Sequence, residues 1–128
     1  MSAMSDFLEL EVLDHVLGTG SYTMPTTVRI GLSTGSFNDD NSGTELSGSG
    51  YARQAITFAA ASSGSAATNG TVTFPTATGS WGAVSHWGIF DAASSGNLLI
   101  HGAFATPKTI TSGDVLRINS GDLTATAA

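Results

Sequence analysis

The chain has 128 residues, of which 41% are apolar and only 11% charged, with a formal net charge of −6 and no cysteine. This length suits one domain, expected over 1–128, and the apolar share lies well above the disordered class. Four basic residues, Arg29, Arg53, Lys108 and Arg117, are scattered without a run, which disfavours nucleic acid and anionic membrane surfaces as partners. The missing cysteine excludes disulfides, thiolate metal sites and thiol catalysis.

With so few charges, the polar surface must come from Ser, Thr, Asn and Gly. Such a surface loses little rotamer entropy when packed against a neighbour, which favours a protein made for assembly. The opening "MSAMSDFLELEVLDHVLG" has no positive n-region and carries acids through its apolar part, so it does not read as a signal peptide. No stretch is long and apolar enough to read as a membrane span.

Residues 5–17, "SDFLELEVLDHVL", have helical spacing. Phe7, Leu10, Leu13 and Leu17 recur at three- and four-residue steps, and Leu8, Val12 and Val16 widen the stripe. Ser5 or Asp6 suits the N-cap, and Gly18 and Gly20 suit the stop. "FLELEVL" also alternates, which leaves strand as the rival reading. So broad an arc on so short a helix predicts burial against a sheet or a second subunit, with Leu10, Leu13, Val16 and Leu17 as interface candidates.

After Pro25 the pattern turns to β. Alternating segments at 26–34, 52–60, 70–77, 83–92, 97–106, 114–120 and 122–127 are separated by turn residues. They predict a mainly β fold: an antiparallel β-sandwich of jelly-roll or Ig-like topology over 26–127, with one short N-terminal α-helix. The absence of helices between the strands argues against a parallel α/β sheet. The segments 34–50, 59–70 and 76–84 read as linkers.

At the end of the first linker, "TELSGSGYARQAITF" sets a flexible hinge before a regular strand. Its glycines permit a sharp turn. Arg53 can anchor that turn on backbone carbonyls or an acid, with Tyr51 packed at the corner.

The acidic loop holds Asp39, Asp40, Asn41 and Glu45, oxygen ligands of the kind a hard cation takes, without the order of an EF-hand. Asx residues beside glycine are also ordinary turn chemistry. His86 and His101 lie on successive predicted strands and could meet across a hairpin, with Asp91 as a third ligand for zinc. Paired strand histidines are as readily core or interface groups. No nucleophile elbow appears, the phosphate-loop-like glycines lack a strand-to-helix context, and Asp91, Asp114 and Asp122 sit at turns. The expectation is no enzyme and no cofactor. Trp81, Trp87, Tyr22, Tyr51, Phe90 and Phe104 supply either core or a sugar-stacking platform. Trp81, flanked by a glycine turn, is the candidate for exposure or a subunit contact.

"ELSGSGYARQAITFAAASSGSA" and "VTFPTATGSWGAVSHWGIFDAASSGNLLIHGAFATPKTITSGDVLRINSGDLTAT" together resemble a family of small tailed-bacteriophage and prophage virion proteins, often labelled tail-fibre-like. The specific parts are "GYARQ", "FPTATGSWG" and the "GIFDAASSGNLL" hairpin. The resemblance implies a virion component with a compact β fold, made in the host bacterial cytoplasm and carried on the outer surface of capsid or tail. The chain has no heptads and no repeat for a fibre shaft. Size therefore favours a non-enzymatic capsid decoration (cement) protein. A tail-fibre, tail-appendage or baseplate component and a host-glycan-binding receptor module stand as alternatives. The expected partners are itself, as a homotrimer, and the major capsid protein or tail proteins.

Overall fold

The computed structural model describes residues 2–126. The elements are β1 (Ser2–Met4), α1 (Asp6–Val16), β2 (Val28–Ser33), β3 (Gln54–Ile56), β4 (Ser65–Ala67), β5 (Val72–Thr73), β6 (Gly82–Phe90), β7 (Leu98–Ile110), β8 (Arg117–Ile118) and β9 (Thr124–Thr126). Every strand pairing is antiparallel. One layer is a five-stranded sheet in the order β1-β7-β6-β2-β3, and two short ladders, β4-β9 and β5-β8, face it. The fold is mainly β and sandwich-like with one short N-terminal helix, as predicted, but its second layer is broken into two pieces.

The core lies between these layers. Ile30, Leu32, Val84, Trp87 and Ile89 come from the sheet, and Val72, Phe74, Leu116, Ile118 and Leu123 close over them. Alternation places them: Ile30 and Leu32 project to one side of β2, opposite Ile89 and Trp87 of β6. A smaller cluster of Phe37, Phe90 and Leu98 covers the other side of the sheet.

Two strands go beyond the sequence reading. β4 lies inside the expected 59–70 linker, and β1 precedes the helix. The segment 70–77 keeps only Val72–Thr73 as strand. Pro75 follows after Phe74, and proline cannot donate to a ladder. The predicted 97–106 strand instead runs to Ile110. It does so across a wide irregularity, in which Phe104–Pro107 stand opposite Ser85 alone. The ends of the described chain meet: Thr126 N–H donates to Ser2 Oγ at 2.8 Å, and the two hydroxyls are 2.9 Å apart. Among the described residues, no helix is long and apolar enough to cross a membrane.

Candidate functional site

Helix α1 is seated at its N-terminus. Buried Ser5 accepts the Leu8 N–H at 3.2 Å, its hydroxyl donates to the Leu98 carbonyl, and its own N–H donates to Leu99 O at 2.8 Å. The Asp6 N–H donates to Asp39 O at 2.9 Å. These bonds fasten the helix to the start of β7. Phe7, Leu8 and Glu11 are half-buried on its inner flank. The chain after the helix folds back along it, with the Tyr22 N–H reaching His15 Nδ1 at 3.2 Å. Burial first, and then the nearby Asp91 and Glu11 carboxylates, push the Tyr22 hydroxyl above its ordinary pKa.

The rest of the helix faces outward. No residue of α1 is buried, and Leu10, Leu13, Val16 and Leu17 are 63%, 54%, 72% and 70% exposed. The expected burial against a sheet therefore does not occur within one copy. Only the Phe7–Leu8 flank docks, because the capping bonds of Ser5 set the helix's rotation. At about 100° per residue, Leu10, Leu13 and Leu17 share their outward face with Asp6 and Asp14, with Glu9 and Val16 at its margin. The face is apolar and acidic together.

The hinge ahead of β3 forms a closed clamp. Gly50 takes a positive φ of 82°, and a Cβ there would lie 3.0 Å from Thr76 O. The Arg53 guanidinium grips Glu45 with both ends, Nε to Oε2 at 2.8 Å and Nη2 to Oε1 at 2.7 Å. Its Nη1 donates to Ala92 O and Ser95 O at 2.9 and 2.8 Å. The guanidinium carbon lies 3.6 Å from the Phe90 ring centroid. Tyr51 Oη donates to Glu45 Oε2 at 2.5 Å and accepts the Leu32 N–H at 2.9 Å. Burial first, then the Glu45 carboxylate, hold that phenol far above its usual range. The clamp thus ties the 34–50 loop and the β6–β7 turn to β2. Arg53 makes four hydrogen bonds within the protein here, two to Glu45 and two to backbone carbonyls.

A third feature lies at the far end of β7. The Phe104–Lys108 excursion borders a groove of about 220 Å³ with Arg117, Ile118 and Asp122. A depression of about 230 Å³ continues past Phe104 toward Leu123 and Thr124. Lys108 and Arg117 are exposed there. Neither enters an ion pair among the described residues.

The four acidic-loop candidates are not gathered at one point. Glu45 is held by Arg53, because a bidentate guanidinium pair outcompetes a loose turn position. Asp39 Oδ1 lies 2.6 Å from His101 Nε2. Ser42 hydrogen bonds hold the exposed Asp40 carboxyl below its ordinary pKa. Asn41 Nδ2 reaches Gly96 O at 3.4 Å. Asp39 instead comes near Asp6 and Glu9, their carboxylate oxygens within 4.8 Å of one another. His86 and His101 border one shallow depression, but His86 shares a 2.7 Å hydrogen bond with Ser85. Asp91 accepts from Asn97 at 2.8 and 3.0 Å, within the turn. The zinc set therefore has separate partners.

The expectation of an exposed Trp81 is corrected. It is only 5% exposed. Its ring meets Tyr51 edge-on at 5.7 Å and Phe74 at 6.4 Å. Its Nε1–H donates to Ser49 O at 2.9 Å. A glycine-flanked tryptophan looked like a turn tip because sequence does not show which strands close over it. Buried so, it offers no face to a sugar or to a neighbouring subunit.

None of the curated proteins matches the chain. The family model described as Podophage GP4 fiber I protein gp80 matches residues 3–126, nearly the whole of it. The clamp, the outward helix and every strand but the first residue of β1 fall inside the match, and the chain belongs to the family of the podophage GP4 fiber I protein gp80.

Proposed function

We propose that this chain is a non-enzymatic structural subunit of a bacteriophage fibre, joined to tail proteins and assembled with copies of itself as a trimer. The observation that carries the reading is the outward face of α1, with four large apolar side chains more than half exposed. Exposed leucines and valines clustered on one element mark an interaction surface. The family's name supports the fibre. Size by itself favours capsid decoration, and the family's name favours the fibre. The low share of charged side chains, 11%, fits a surface made to be covered.

The test is the oligomeric state. Leu13→Asp and Val16→Asp lie on exposed positions, so each variant should fold with unchanged circular dichroism and a stability within about 0.5 kcal/mol of the parent. Sedimentation should show the parent as an oligomer and the variants as monomers. A parent chain that stays monomeric at high concentration overturns the reading.

A further inference from the structure

We infer that the Phe104 groove at the far end of β7 is the seat for helix α1 of a neighbouring copy. The inference rests on the trimer reading above and supplies its second surface. A threefold ring is built from head-to-tail contacts, so each copy must present two different patches. Helix α1 is one. It does not serve as its own partner: copies of α1 packed face to face would bring Asp6, Glu9 and Asp14 against one another. Like charges so placed repel. At 11 residues it is also far short of the several heptads of a coiled coil.

The groove has the opposite character. Its apolar side chains are Phe104, Ala105 and Ile118, and its basic ones are Lys108 and Arg117. These are two of the chain's four basic residues. A third, Arg53, is consumed in the clamp. Asp122 lines the groove as well and accepts the Asn119 N–H at 3.2 Å, so two cations against one carboxylate leave the groove net positive. A partner for this groove must therefore bring apolar side chains interleaved with carboxylates. The outward face of α1 has that composition: Leu10, Leu13 and Leu17 among Asp6, Glu9 and Asp14. Within one copy the two cannot meet. The helix is fastened to Leu98 and Leu99 at the start of β7, and the groove is formed by Phe104–Lys108, at the irregularity farther along the same strand.

Charge exchange tests this in the full chain. The Lys108→Glu/Arg117→Glu pair and the Glu9→Lys/Asp14→Lys pair each reverse one surface at exposed positions, and circular dichroism checks that both fold. Each pair alone should weaken self-association by about tenfold or more in sedimentation equilibrium. All four substitutions in one chain restore complementarity and should bring the assembly back. If the groove pair leaves association unchanged while Leu13→Asp abolishes it, the groove is not the seat, though the self-assembly reading stands. If the four-substitution chain fails to recover, the pairing of these two surfaces is likewise overturned. A monomeric parent chain overturns both.

Discussion

Arg53 shows how one side chain can replace a layer of secondary structure. The 34–50 loop has no strand of its own, yet it is held against β2 by the bidentate grip on Glu45, the two carbonyl bonds to Ala92 and Ser95, and Tyr51 Oη. The Arg53 and Glu45 side chains are 6% and 24% exposed, so the pair is weakly screened without being fully dry. A lysine at this position cannot fork across a carboxylate and still reach two carbonyls. Arg53→Lys should therefore destabilise the fold by about 2–3 kcal/mol, below the range for breaking a fully buried pair. Tyr51→Phe, which leaves the Leu32 N–H without its acceptor, should cost about 1 kcal/mol less than that. Urea unfolding of the two variants measures both.

At the scale of elements, the sheet depends on a cross-strand pair of glycines, Gly31 of β2 opposite Gly88 of β6. A Cβ on Gly31 would lie 2.7 Å from Glu45 Oε2 and 3.1 Å from Tyr51 Oη. A Cβ on Gly88 would lie 2.8 Å from Leu98 Cδ1, the movable end of a side chain. Each alanine substitution should destabilise by about 1–3 kcal/mol, with Gly31→Ala the worse because its neighbours are held in the clamp. Their urea midpoints, compared side by side, check the order. Much of this layout was legible in the sequence. The alternation of Ile30 and Leu32, and of Trp87 and Ile89, gave β2 and β6 with their buried faces. The helix was legible from Phe7–Leu17, but its rotation was not, since that depends on which carbonyls Ser5 meets. β4, with the sequence Ser-Ala-Ala, has no apolar alternation to read and exists because β9 offers it a ladder. Arg53 could be read as the anchor of its turn, and Glu45 as its partner only once the loop had folded back. Lys108 and Arg117, nine positions apart, gave no sequence sign that one groove would hold them both.

At the scale of the whole molecule, the helix and the groove differ in charge. Asp6, Glu9, Asp14 and Asp39 gather around α1, and Lys108 and Arg117 outnumber Asp122 at the Phe104 groove. A subunit polarised in this way suits head-to-tail repetition better than scattered attachment over a shell. Antibody-labelled particles viewed by electron microscopy should accordingly carry gold at the tail appendages. Label spread evenly over the head would return the chain to capsid decoration. The meeting of Ser2 with Thr126 bears on how such a subunit would take mechanical load. Tension applied at those two residues first meets the Ser2–Thr126 hydrogen bonds and then the ladders that hold β1 to β7 and β9 to β4, so the outer strands would yield before the buried core.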